Sequence, residues 1–403
     1  MNNLKTGIKV LSDRVICNTY RRLPIVFMRG RGCTLWDDQG RKYTDFLAGI
    51  AVCNLGHSCP EVASALCRQA DTLFHVSNLY YTVPQTELAD WLVSHSFADR
   101  VFFANSGAEA NEAAIKLARK FFFDQGKTGR CRIIAMENSF HGRTFAALSA
   151  TGQKKVREGF EPILEGFDFV PFNDVDAVRQ RLDDTICAVL IEPIQGEGGV
   201  RAPDPGYLES LRDLCDETGT ILIFDEIQTG IGRTGKFFAY EHFNVTPDIM
   251  TLAKALGNGL PIGAMLATEK VASAFSPGAH ASTFGGTPVI TAAALEVVRL
   301  MEREQVVERC ARIGAYFKSR LEWLAQRHEI IEDVRGMGLM LGMRLSVPGA
   351  SFVSACLEKG FIINCIQENI LRFVPPLIIT EEEIDSLIEC LDGLFSNPSI
   401  CGE

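Results

Sequence analysis

The stretch "DIMTLAKALGNGLPIGAM", residues 248–265, reads as a buried strand running into a glycine-rich turn, with a single lysine, Lys254, at the junction. A lysine removed from water loses several kcal/mol of hydration unless it is paired, neutralised or used covalently. It either lies just past the strand end and snorkels to solvent, or it serves chemistry. Its neighbours along the chain decide between the two.

Working outward, short apolar runs rich in Val, Ile and Phe alternate with helical stretches from about 100 to 270. They are "RVFFA" (100–104), "CRIIAME" (131–137), "AVLIEPI" (188–194), "ILIFDEI" (221–227), "DIMTLA" (248–253) and "IGAMLAT" (262–268). Strands apolar along their whole length and separated by helices predict an α/β fold, a mainly parallel sheet covered on both faces. Ligands in such folds sit beyond the carboxyl ends of the strands. At 403 residues the chain exceeds one core, so a second, smaller α/β unit is expected. We divide it into an N-terminal segment 1–70 that joins the small domain, a large domain 71–295 and a C-terminal small domain 296–403. The run "TAAALEVVRLMEREQVVERCARIGAYFKSRLEWLAQR" (291–327) reads as one long amphipathic helix.

Composition removes several function classes. A net charge of -10 and the lack of a long basic run argue against nucleic acid. The N-terminus lacks a signal-type apolar stretch, and no segment has the roughly 18 apolar residues a membrane span needs. Thirteen cysteines without a C-x-x-C pair read as reduced, mostly buried thiols in a cytoplasmic protein rather than as a metal site or disulfide framework. "GIGRTG" (230–235) fits a dinucleotide fingerprint by letter, but Asp225 and Glu226 precede it and no long apolar helix clearly follows. "GKT" (126–128) lacks the earlier glycine of a phosphate loop, with Phe121 in its place.

Three strand ends carry complementary chemistry. Ser106, Gly107 and Ala108 open a helix after "RVFFA", and the N–H groups of such a start form a phosphate-sized anion site. Asp225 and Glu226 end "ILIF", and Lys254 ends the next strand. Each alone has a plain structural explanation: a helix cap, an ion pair, a snorkelling lysine. Together they supply what pyridoxal 5'-phosphate requires: a cradle for its phosphate, a carboxylate for its ring nitrogen and a lysine for its aldehyde, as a Schiff base.

At this point the chain resembles the subgroup III pyridoxal-phosphate-dependent aminotransferases of the aspartate-aminotransferase fold (fold type I), and among them the N-acetylornithine aminotransferases. The matching blocks, in order, are "DFLAGIAVCNLGH", "NSGAEANEAAIK", "SFHGRT", "IEPIQGEGGV", "IFDEIQTGIGRTGK", "LAKALGNGLPIGA", "STFGGTP" and "LRFVPPL". They run from near residue 36 to near 380, almost the whole chain.

The resemblance implies a homodimer with shared active sites, Thr283 reaching the cofactor phosphate from a second subunit. It places Phe140 on the pyridine ring, Asp225 at the ring nitrogen, Gln228 at the ring hydroxyl, and Lys254 as both covalent anchor and acid-base group. Arg143 is expected to take the donor's α-carboxylate, with Ser282 a further contact. Arg372 is expected to take the α-carboxylate of 2-oxoglutarate, and Glu197 to pair with Arg372 while the donor is bound.

Tyr20 falls near the place of a donor-binding tyrosine in ornithine-type relatives, whereas Ile50 replaces a second one. An apolar residue there suits an acylated donor, because an amide has no ammonium to satisfy. Cys59 stands where many relatives have histidine. The implied reaction moves the δ-amino group of N-acetylornithine to 2-oxoglutarate. Alternatives are another ω-amine transaminase for ornithine, 4-aminobutyrate or succinyl-diaminopimelate, a non-catalytic relative, or an aminomutase or racemase.

Overall fold

The protein, described as a computed structural model, is characterised over residues 2–397. Its centre is a seven-stranded sheet of β1 (Arg100–Ala104), β2 (Arg132–Met136), β3 (Phe167–Val170), β4 (Ile186–Ile191), β5 (Ile221–Asp225), β6 (Ile249–Leu252) and β7 (Gly263–Ala267). The order across it is β1-β7-β6-β5-β4-β2-β3. The bonded pairs among β2 to β6 are parallel, while β7 runs antiparallel to both β1 and β6. Strands β4, β5, β6 and β7 are buried at every position. Their side chains meet helices on both faces, which is why the sequence shows apolar runs rather than alternation.

The reversal at β7 follows from chain length. Only residues 253–262 separate β6 from β7, too few for the dozen or more that a parallel crossover needs. The link instead makes one tight turn, Lys254–Gly257, and returns. The edge strand β3, "FDFV", is half-buried for three of its four residues. It carries too short an apolar run to stand out in the sequence.

Helix α1 (Gly107–Asp124) follows β1. Ser106 caps it by accepting the Glu109 N–H at 3.3 Å, and Glu109 Oε2 turns back to accept Asn105 N at 2.7 Å, a reciprocal arrangement that satisfies free helix-end donors. Its buried face is mainly alanine, from Ala110 through Ala118, so its backbone lies close to the sheet.

The long amphipathic run is two helices, α2 (Pro288–Arg303) and α3 (Val306–Arg327), divided at Gln305, whose φ is +49°. A left-handed residue ends a helix. The division lets each apolar face meet a different partner: α2 packs on the helices Pro60–Ala70 and Val83–Ser94, and α3 on the strand Ile331–Met337 and the helix Glu381–Phe395.

Two four-stranded sheets complete the chain. In one, Lys42–Asp45 from the N-terminal region pairs in parallel with Phe361–Ile362. The other joins Ile331–Met337, Met340–Leu345, Ile370–Phe373 and Asn364–Ile366. A single apolar core runs from Phe46 and Leu55 through Met250 and Leu252 of β6 to Leu371 and Phe373. No helix among the described residues is long and apolar enough to cross a membrane.

Candidate active site

The carboxyl ends of β1, β2, β4, β5 and β6 open on one cavity of about 480 Å³. Nine residues singled out from the sequence line it: Ser106, Gly107, Ala108, Phe140, Arg143, Glu197, Asp225, Gln228 and Lys254. Glycine is required at two places around the helix start that Ser106 opens. A Cβ on Gly107 would lie 2.7 Å from Ile227 Cδ1, and one on Gly263 would lie 2.2 Å from Ser106 O. The helix start is thus clamped between the loop after β5 and the first residue of β7.

Asp225, only 4% exposed, is fixed by three donors. His141 Nδ1 is 2.7 Å and Asn111 Nδ2 is 2.8 Å from Oδ2, and Ile227 N is 3.1 Å from Oδ1. Asn111 is held in turn by Thr251 Oγ1 at 2.8 Å and itself donates to His141 O at 2.7 Å. His141 Nε2 is buried without a partner. Nδ1 carries the proton shared with Asp225, which leaves Nε2 as the ring nitrogen that meets no partner.

Lys254 is the first residue of the turn after β6 and has φ +44°, a left-handed conformation that costs energy for any residue with a Cβ and marks functional sites. Loss of hydration pulls its ammonium down to about 8, Arg372 adding to the pull while Glu197, Asp225 and Glu192 oppose it. The amine is therefore partly free near neutral pH, as a nucleophile or base requires.

Glu197 faces the cavity, and behind it Arg372, buried in the core, donates from Nη1 to Glu197 Oε1. Arg372 also reaches Asn364 Oδ1 at 3.2 Å and Gln228 Oε1 at 3.4 Å. Burial pushes the Glu197 carboxyl up, but the Arg372 guanidinium outweighs it and the net shift is down. The pair is closed in this structure, with Glu197 between the arginine and the open space.

Arg143 stands exposed at the mouth, its guanidinium carbon 5.6 Å from the Phe140 ring centre. Four expected residues lie elsewhere on this chain. Ser282 Oγ accepts from Gly285 N at 2.9 Å and from Asn105 Nδ2 at 3.3 Å. Thr283 lines a separate small pocket with His75, Asn78 and Gln85. Tyr20 is 72% exposed. Arg372 is screened by Glu197, as above. Ile50, two positions from the wall residue Val52, is exposed with φ +68°.

Glu226 turns away and accepts the Ala239 and Tyr240 N–H groups. The "GIGRTG" loop carries fully buried Arg233, which donates to Leu339 O at 2.8 Å and Pro375 O at 2.6 Å. It ties the loop after β5 to the C-terminal region.

The sequence reading missed Asn111, His141 and Glu192. Glu192 lines the cavity and was signalled as plainly as Asp225, since "AVLIEPI" also sets a carboxylate at a strand end.

The donor set fits pyridoxal phosphate: helix-end N–H groups at Gly107 and Ala108, a fixed carboxylate, an aromatic ring and a partly deprotonated lysine, all on one cavity. A mixed α/β sheet with these groups at its carboxyl edge defines a pyridoxal-phosphate-dependent transferase. More narrowly, the chain belongs to the class-III aminotransferase family, whose model matches residues 15–395. It is 50% identical over 384 residues to the acetylornithine aminotransferase of Caldanaerobacter subterraneus subsp. tengcongensis, covering 95% of this chain and 98% of that one. With the acetylornithine aminotransferase of Methanocaldococcus jannaschii it shares 50% over 382 residues, 94% and 95% of the two chains. The crystal structure of the ornithine aminotransferase from Toxoplasma gondii, reported with partial occupancy of PLP at its active site, superposes with a TM-score of 0.93 at 34% identity. That match covers 96% of this chain and 93% of that one.

Proposed function

We propose that the protein transfers the δ-amino group of N2-acetyl-L-ornithine to 2-oxoglutarate, giving N-acetyl-L-glutamate 5-semialdehyde and L-glutamate, a step of arginine biosynthesis. Relatives at 50% identity over nearly the full length carry that activity in their names. The observation that carries the chemistry is the meeting of Lys254, Asp225 and the Ser106 helix start on one cavity beside the closed Glu197–Arg372 pair.

Bound pyridoxal phosphate supplies an electron sink that acidifies the carbon bearing the amino group. Ser106, Gly107 and Ala108 would hold its phosphate, Asp225 its ring nitrogen and Gln228 its ring hydroxyl, with Phe140 against the ring. Lys254 Nζ would take the proton from the substrate carbon and deliver it to the cofactor, a role its lowered pKa suits. Arg143 offers a planar fork to the donor's α-carboxylate at the mouth. Glu197 covers Arg372 while the donor is present, and swings away when 2-oxoglutarate brings a carboxylate for the arginine. The substrates thus alternate on one site by exchange of ion-pair partners.

We also propose a homodimer in which Thr283 completes the partner's site. The segments 73–83 and 282–287 are knit together, with Asn78 Nδ2 donating to Ser282 O at 3.0 Å and Gly285 O at 2.9 Å. They expose Phe74, Leu79, Tyr80, Tyr81 and Phe284, an apolar surface that calls for a covering partner. The division into 1–70, 71–295 and 296–403 belongs to this reading, supported by the pairing of Lys42–Asp45 with Phe361–Ile362. A cytoplasmic location is in keeping with the twelve cysteines of the described residues, all free thiols.

The test is the visible absorption of the purified protein. N-acetylornithine is expected to discharge the band of the bound cofactor, and 2-oxoglutarate to restore it. A band indifferent to N-acetylornithine but discharged by ornithine or 4-aminobutyrate overturns the donor and keeps the chemistry.

A further inference from the structure

Strand β4 runs into Glu192 as β5 runs into Asp225. The parallel register sets Ile191 beside Phe224, so the two carboxylates come next on adjacent strands and project to the same face. Asp225 has side-chain donors from His141 and Asn111. Glu192, 6% exposed, is met by two backbone donors, Phe140 N at 3.1 Å from Oε2 and Gly196 N at 3.2 Å from Oε1.

Those two donors lie on different loops. Phe140 belongs to the loop after β2 that also carries His141 and Arg143, and Gly196 immediately precedes Glu197. Gly196 is pressed against the cavity as well: a Cβ there would lie 2.4 Å from Gln228 Oε1. One buried carboxyl therefore joins the ring-side loop to the loop bearing the arginine's partner.

We infer that Glu192 is a positioning residue for the transfer, tying these loops together, and that its charge, on the cavity wall it shares with Lys254, is one of those that bias the amine. The inference rests on the reading of Lys254 as the base of that reaction. The ionisable groups acting on Glu192 are His141 and Asp225, and Glu192 acts in turn on Lys254. Burial pushes its carboxyl up to about 7, Asp225 adding while His141 and the two N–H groups oppose. Ionised Glu192 favours the Lys254 ammonium, whereas neutral Glu192 favours the free amine.

The holoenzyme, Glu192→Gln and Glu192→Asp are to be compared between about pH 5.5 and 9.5 by titrating the visible spectrum of the resting protein and by the pH profile of kcat/KM. With Gln, which carries no charge, both Lys254-linked midpoints are expected at lower pH. Asp keeps the charge but is too short to hold both N–H groups, so the midpoints stay and kcat/KM falls about 10- to 100-fold. Midpoints common to all three proteins overturn the inference and leave Lys254 as the base. Multiple turnover surviving in Lys254→Ala overturns that reading instead. Should the Gln variant not fold, the Asp variant decides through the KM for 2-oxoglutarate. The untied Glu197 loop is expected to raise KM more than it lowers kcat, and an unchanged KM overturns the tie.

Discussion

His141 Nδ1 lies 2.7 Å from Asp225 Oδ2, and Asn111 Nδ2 reaches the same oxygen at 2.8 Å. Asn111 joins three elements at once, since it also donates to His141 O and accepts from Thr251 Oγ1. Asn111→Leu takes one of three donors from Asp225 and leaves the His141 carbonyl and the Thr251 hydroxyl without that partner. Each orphaned group costs about 1–3 kcal/mol. Denaturant unfolding is expected to show a lower midpoint, and dialysis a faster loss of cofactor. Unchanged cofactor retention would mean that His141 and Ile227 N suffice to aim Asp225.

The lowered pKa of Lys254 makes a prediction for the cofactor-free chain. A lysine depressed from 10.5 to about 8 is a destabilising cation below pH 8, and the penalty fades as pH rises from 8 towards 10.5. Lys254→Met is therefore expected to raise the melting temperature of the cofactor-free protein at neutral pH, with the gain shrinking in alkali. The rate of pyridoxal phosphate uptake by the wild-type chain should climb through about pH 8, where the amine becomes free. A rate flat across that range would put the nucleophile elsewhere.

Closure of the Glu197–Arg372 pair implies a cost for removing one side. Glu197→Ala leaves Arg372 buried with only Asn364 and Gln228 as partners, a loss below the roughly 3–5 kcal/mol of a fully buried pair because Glu197 is partly open to the cavity. It also leaves the arginine permanently open to α-carboxylates. Single-turnover kinetics are expected to show glutamate reacting as well as before or better, while N-acetylornithine loses kcat/KM. Equal losses for both donors would show that the pair serves stability alone.

The sequence made the strands legible because being covered on both faces forces unbroken apolar runs, and it made the site legible because that fold concentrates chemistry at strand ends. Asp225 and Lys254 were found that way. Asn111 and His141 were not, since both sit inside motifs where neighbours drew attention and their contacts to Asp225 join residues more than 80 apart. The break at Gln305 was equally hidden. Its neighbours keep a helical pattern on both sides, and only the change of packing partner between α2 and α3 explains the turn. Ser282, Thr283 and Tyr20 were assigned by resemblance, and a single chain gives them no place on its own cavity.

His57 illustrates a stability effect outside the cavity. Its Nε2 is 2.7 Å from Asp45 Oδ2, while Asp45 Oδ1 accepts Leu47 N at 2.7 Å and Ala48 N at 3.0 Å, at the entry to the left-handed turn Ala48–Ala51. Burial works against the imidazolium, but bonds to Asp45 and Cys53 outweigh it and raise the pKa from 6.5 to about 9. A raised pKa contributes stability that is complete below pH 6.5 and lost as pH rises through 9. Urea midpoints are expected to fall across that window in the wild type and to change less in His57→Gln. Parallel curves for the two proteins would remove His57 as the cause.

Gly263 offers a sharper test of the anion cradle because it touches only backbone there. A Cβ at this position would sit 2.2 Å from Ser106 O and 2.7 Å from Ser106 C, and a peptide group at a strand–helix junction yields less than a flexible side chain. Gly263 pairs with Ala104 across the β7–β1 ladder, so the strand is held from behind and Ser106 is the part that moves. Gly263→Ala is therefore expected to displace the start of α1, weakening pyridoxal phosphate by about tenfold or more while the fold persists, since an overpacked site costs roughly 1–3 kcal/mol. Equilibrium dialysis gives the affinity and far-ultraviolet circular dichroism the fold. Native affinity in a folded variant would show that the phosphate is held by groups other than the Ser106, Gly107 and Ala108 turn.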